Sequence, residues 1–273
     1  MKGRLAGSIA TMNLDDFTRD WPARRADARV ALTFFTRLVW GDRPAPALGE
    51  LAAASWAFPL TGLVIGVCGA VAYAIVVRLG VPVPAAALLA VATTALVTGG
   101  QHEDGLARAI ESLGRGGDVN DRLRLMRDGP NGALGVLAIV LSVGLRAGAL
   151  FAVGATFGTA GISGALVACH AIARGLLPAA LRWGEPAASG DWAAEAGRPE
   201  TANVVTAAAI ALVLTFLALG IKAGVVAMVV GALAMAAASY AAQQRISGFT
   251  GDTLSAVEQA GEIAVLLVAA AWS

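Results

Sequence analysis

Charge is what this sequence has least of. Only 14% of its 273 residues are Asp, Glu, Lys or Arg, against about 25% in soluble domains, and the mean hydropathy is +0.70. So thin a supply cannot cover a water-facing surface. It excludes an ordinary soluble enzyme and leaves a polytopic helical membrane protein. Cysteine is nearly missing too. Cys68 and Cys169 lie in apolar runs and read as small buried hydrophobes, which excludes a disulfide framework or a cysteine zinc site. The two histidines, His102 and His170, lack a convincing further ligand for zinc. The first residues are polar, with no apolar core of signal-peptide type. The two halves show no convincing repeat of the kind many transporters carry. The net charge of +1 says little about partners, and nucleic acid is not expected among them.

What is present is a succession of apolar runs. Residues 30–40 are apolar, cover only about half a bilayer and carry Arg37. They are expected to form an interfacial or re-entrant helix, with Arg37 at the membrane surface, meeting either lipid phosphate or a site. Full spans are expected at 54–77, 83–97, 133–155 and 162–181, two within 204–242, and one from 254 onward. The fold class is all-α, a transmembrane helical bundle of about seven spans. It forms one integral membrane domain over 1–273, with 1–53 cytoplasmic or interfacial and a charged cytoplasmic loop at 101–132. Gly62 and Gly66 make a small-residue face for close helix packing. Arginines crowd the N-terminus and the polar loops, while the opposite turns hold only Arg78 and Lys222. That bias places the N-terminus and both polar loops in the cytoplasm.

The stretch 101–132, QHEDGLARAIESLGRGGDVNDRLRLMRDGPNG, gathers Glu103, Asp104, Glu111, Asp118, Asp121 and Asp128 with five arginines. Asp104 and Glu111 are seven apart, two helical turns, and share one face about 10 Å apart along the axis. Asp121 and Asp128 repeat the spacing, and Gly114, Gly116 and Gly117 interrupt the helix between. Two short helices could thus turn acidic faces toward each other. Hard oxygen ligands of this kind suit Mg²⁺ together with substrate phosphates, and nearby arginines suit phosphate oxygens. The plain alternative is a solvated loop with pairs such as Asp104–Arg108. Arg146, His170, Arg174, Glu258 and Glu262 fall inside apolar runs. They must line an interior cavity or pair with one another, for instance Arg174 with Glu262. Asp252, at the start of the last span, is either a helix cap or another oxygen ligand, and that helix start could also receive a phosphate.

In order along the chain stand FFTRL (34–38), FPLTGLVIG (58–66), TGGQHEDGLA (98–107), RLRLMRDGPNGALGVLAIVL (122–141), Arg174 in HAIARG, and GFTGDTLSA (248–256). Together, over about 30–270, these blocks resemble the cobalamin-5′-phosphate synthase family, or adenosylcobinamide-GDP ribazoletransferases. The resemblance implies an inner-membrane, Mg²⁺-dependent enzyme of cobalamin biosynthesis. Such an enzyme joins adenosylcobinamide-GDP to α-ribazole or its 5′-phosphate and releases GMP. Lipid would be its surroundings, and a second copy or other pathway enzymes its protein partners. The family's acidic motif falls on Asp104, Asp128 and Asp252, with Glu103 beside the first.

With that reading, Asp104, Glu111, Asp128 and Asp252 are the expected metal ligands. Arg37, Arg127 and Arg174 are expected on phosphate oxygens, and Glu103 or Asp128 as general base. The sequence also departs from the family pattern HxDGLADTxDG. Arg108 replaces an aspartate, Glu111 another, and Ser112 a glycine, while MRDGPNG stands for an MKDSRIG-like block. The added positive charge implies weaker divalent binding. Other readings are a CDP-alcohol-type phosphotransferase, a divergent inactive scaffold and a small-solute transporter.

Overall fold

The computed structural model describes residues 21–38 and 47–272. Among them the chain is helical, apart from turns and one isolated parallel bridge between Pro186 and Phe249. Helix α1 (Trp21–Phe35) comes first, and a helical lead-in over 48–57 runs into α2 (Phe58–Arg78). Then follow α3 (Val83–Thr98), α4 (Gln101–Gly114), α5 (Val119–Asp128) and α6 (Ala133–Trp183), a single turn at Trp192–Glu195, and α7 (Thr201–Leu219), α8 (Ile221–Ile246) and α9 (Gly251–Ala271). Apolar composition makes these helices self-sufficient in lipid, because every internal backbone group is satisfied within its own segment. Prolines stand in the first turns of α2 and α3, where a missing N–H costs nothing.

Straight, the 51 residues of α6 would run about 75 Å at 1.5 Å per residue, more than twice the hydrocarbon thickness. Gly158, at φ 60° and ψ −152°, breaks the helix and folds it back on itself. Arg146 and His170 lie equally far on either side of that glycine, and both reach Glu262. The two halves therefore run antiparallel, as two crossings. Among the described residues five helices have the length and hydropathy to span a membrane, α6 among them, and α3 with α4 forms a further, bent pair. With α6 counted twice and the bent α3–α4 pair counted once, the described residues hold seven candidate crossings, in line with the expected number.

Close approach of backbones sets the bundle. A Cβ on Gly66 would stand 2.7 Å from the Leu166 carbonyl, and one on Gly62 would collide with the His170 carbonyl. Hence α2 lies directly on the second half of α6. Ala86, Ala87, Ala90, Leu150, Ile162 and Leu166 continue this core.

One expectation is corrected in detail. The amphipathic helix spans Trp21–Phe35 rather than 30–40. It ends before Arg37, whose N–H donates to the Val97 carbonyl (2.7 Å) and whose stem covers Gly99. Val39 and Trp40 lie outside the described residues. The region 101–132 forms the two short helices expected from its spacing and glycines, α4 and α5. Left-handed Gly99 and Gly100 end α3, and α4 turns off at 91° across the end of the bundle. Gly116 and Gly117, at φ 80° and 93°, then reverse the chain into α5. Its first turn is closed by a reciprocal cap between Asp118 and Asp121. Arg122 donates to the Arg245 carbonyl (2.8 Å) and Arg245 to the Leu113 carbonyl (2.6 Å), tying α5 and α4 to the end of α8.

Candidate active site

The pocket forms where α4, the end of α5 and the start of α9 converge. Gly105 makes this approach feasible, since a Cβ there would stand 2.5 Å from the Ser255 side chain and 3.3 Å from the Asp252 Cα. The next residue back, Asp104, is thereby held close to Asp252. A cavity of about 350 Å³ opens beside them, lined by Arg108, Met126, Arg127, Asp191, Trp192 and Asp252 among others. Arg108 reaches back one turn to Asp104, Nε to Oδ2 3.1 Å, with half of the Asp104 side chain still exposed. Asp252 feels the negative charges of Asp104 and Asp191 and the positive charge of Arg108. The result is a half-open pocket of carboxylates and guanidiniums. Its volume suits a diphosphate rather than a whole corrinoid nucleotide.

Other predicted residues go elsewhere. The side chain of Glu111 is 3% exposed and accepts from the Gly135 N–H (2.9 Å) and from Arg115. Glu111 thus anchors the first turn of α6, where orphan N–H groups and the helix dipole favour a carboxylate. The Gly135 N–H, aided by Arg115, holds the Glu111 carboxyl below its ordinary range against the opposing effect of burial. Each of its carboxylate oxygens thus already has a donor, and it is not among the residues lining the cavity. Asp128 is exposed at the end of α5, one residue beyond the pocket-lining Arg127. Arg37 is exposed at the α3–α4 corner.

Glu103 and Arg174 belong to a second, buried constellation. Arg146 donates to Glu103 (2.9 Å) and Glu262 (3.1 Å). Arg174 lies 2.6 Å from Glu258 and 2.8 Å from Glu262, and His170 also bonds Glu262. Gln259 donates to Glu103 (3.3 Å) and accepts from Ser142 (2.6 Å). All but Glu103 are fully buried. His170, Glu258 and Glu262 are the one group among the described residues with three ligand-type atoms within 4.8 Å of one another. A single Arg174 nitrogen, Nη1, stands within 3.0 Å of all three. The expected Arg174–Glu262 pair is present, and the guanidinium faces carboxylates rather than the pocket.

A family model described as Cobalamin-5-phosphate synthase matches residues 27–270. The chain belongs to this family. It is 42% identical to the adenosylcobinamide-GDP ribazoletransferase of Bradyrhizobium diazoefficiens over 247 residues, covering 90% of this chain and 94% of that one. Proteins of the same name from Mesorhizobium japonicum (37%; 89% and 92% covered) and Ralstonia nicotianae (34%; 89% and 94%) are also similar. No solved structure matches.

Within this family member, the HEDGLA block divides between the two constellations, Glu103 inward and Asp104 toward the pocket. The TGDTL block supplies the opposite wall. Its Thr250 caps α9 by accepting from the Thr253 N–H (3.2 Å). Sequence reading missed Asp191 and Trp192, which complete the pocket from the segment between α6 and α7. The signal was faint. A Ser-Gly-Asp-Trp turn ahead of one helical turn looks like any capped loop, although Asp191 does cap it, accepting from Ala193 (2.9 Å).

Proposed function

We infer that this chain is an adenosylcobinamide-GDP ribazoletransferase of cobalamin biosynthesis. The observation that carries the reading is the family match over residues 27–270, together with relatives of that name along nine-tenths of the chain. The pocket chemistry is compatible with it. The diphosphate of the GDP-linked corrinoid would lie between Arg108 and Arg127, whose guanidiniums offer paired donors to phosphate oxygens. A ribazole hydroxyl oxygen attacks the phosphorus on the corrinoid arm. The P–O bond to the departing phosphate breaks, and GMP leaves in line. Asp128, exposed and next in the chain to the pocket-lining Arg127, would take the hydroxyl proton. Positioning and charge neutralisation do most of the work in such a transfer.

Mg²⁺ suits the donor set. Asp104 and Asp252 offer only carboxylate oxygens, and Mg²⁺ commonly takes one or two carboxylates and completes its shell with water and phosphate. These two would hold it, and the ion would supply charge neutralisation on the diphosphate. We place the pocket on the cytoplasmic side of the inner membrane, from the arginine-rich termini of the helices around it. The corrinoid would enter from the membrane surface.

The test is Mg²⁺-dependent GMP release by purified protein in bilayers. Wild type should turn over and the double variant Asp104→Asn/Asp252→Asn should not, at equal folded yield. Normal turnover by the double variant would sink the pocket assignment. Turnover of a CDP-linked lipid instead would move the chain to a different phosphotransferase chemistry.

A further inference from the structure

The segment between α6 and α7 grips the start of α9. The Phe249 N–H donates to the Glu185 carbonyl (2.9 Å), and the Ala187 N–H to the Phe249 carbonyl (2.8 Å). Asp191 follows. Its Oδ2 accepts from the Gly251 N–H at 2.8 Å, and its Oδ1 from Gly251 at 3.0 Å and from Ala193 at 2.9 Å. The Trp192 ring lies so close to Gly251 that a Cβ there would overlap it. Asp191 therefore occupies the anion seat that a helix N-terminus offers, and no phosphate is needed to fill it. Both of its oxygens are committed to N–H groups, so it is poorly placed to ligate a metal. The residue it restrains is the neighbour of Asp252, and both line the same cavity.

We propose that Asp191 is a positioning residue of the transfer site, clamping the first turn of α9 so that Asp252 stays opposite Asp104. The proposal rests on the reading of Asp104 and Asp252 as holders of the divalent ion. Groups that hydrogen-bond and orient metal ligands typically control metal affinity or activity by about 10–100-fold, and Asp191 acts one residue away, on the turn that carries Asp252. Without it, the Gly251 N–H loses its acceptor, the 185–195 segment keeps only its Glu185–Phe249 and Ala187–Phe249 backbone bonds and the Trp192 contact to this end of α9, and the Asp104–Asp252 separation is less closely held.

The experiment uses full-length protein in nanodiscs, with Mn²⁺ as a paramagnetic probe of binding, alongside steady-state GMP release. Asp191→Ala should weaken Mn²⁺ binding by about 10–100-fold and lower kcat more than it raises KM. Asp191→Asn keeps a carbonyl oxygen for the Gly251 N–H and should recover part of both. If Asp191→Ala does not fold, Asp191→Asn must by itself show measurably weaker Mn²⁺ binding. A Mn²⁺ signal that Asp252→Asn abolishes but both Asp191 variants leave unchanged, with only melting temperature lowered, overturns the proposal and spares the site. A Mn²⁺ signal that survives Asp252→Asn overturns the site reading, and the proposal with it.

Discussion

Glu103 and Asp104 are neighbours on α4, yet they serve opposite ends of the molecule's electrostatics. Glu103 points into the bundle and is bound by Arg146 and Gln259. Asp104 stays half exposed, with a single partner in Arg108. The buried constellation spends its charges on one another. Arg146 and Arg174 each bridge two carboxylates, in a region where an unpaired charge costs several kcal/mol. Asp104 and Asp252 at the pocket, unlike Asp191, have fewer partners and are not fully buried, which is what leaves them available to a ligand. Side chains of the same type are structural or chemical according to how many of their lone pairs the fold has already taken.

Removing one member of the buried set should give the largest effect. Arg174→Ala takes the close cationic partner from buried Glu258 and leaves Glu262 to Arg146 and His170, and breaking a buried pair typically costs about 3–5 kcal/mol. The expected outcome is little folded protein in detergent, read by thermal melting and by yield. A variant that melts like wild type would erase the contrast drawn between the two regions. Asp252→Asn tests the other side. It should cut GMP release by about a hundredfold, on the scale of removing a group that stabilises transition-state charge, while the melting temperature barely moves. A loss of fold equal to the loss of activity would make Asp252 one more structural acid.

The smallest expected effect sharpens the boundary. Glu111 sits near the pocket in sequence but is tied to Gly135 and Arg115. Glu111→Gln should lower the melting temperature modestly and leave the Mg²⁺ dependence of turnover unchanged. Because the Gly135 N–H depresses the carboxyl's pKa in the fold, its contribution is present above its unfolded pKa of about 4.3. That contribution is lost as pH falls through the lower folded value. The variant should therefore lack the part of the acid-side stability loss that wild type shows, as measured by melts across that range. A change in Mg²⁺ dependence would return Glu111 to the ligand set.

Much of this was legible beforehand. Hydropathy marked the spans, the Gly62/Gly66 spacing marked a close packing face, and the glycines at 116 and 117 marked the reversal between α4 and α5. The family resemblance named Asp104 and Asp252. The diversion of Glu111 was not legible, because nothing local announces that a carboxylate on α4 will cap a helix starting at Ala133. Asp191 was hidden for the same reason, since its decisive partner lies 60 residues downstream.

Composition alone determined that this protein lives as apolar helices in lipid, because a chain with so few charges has no other way to satisfy its backbone and its surroundings. Which charges are free was decided only in three dimensions. The fold-back at Gly158 brings Arg146, His170 and Arg174 to one depth, and α9 meets them there with Glu258 and Glu262. Ionic pairing acts over a few ångströms between segments 43 to 116 residues apart in the chain, so spacing along one helix shows that such charges must pair but not the whole set of partners.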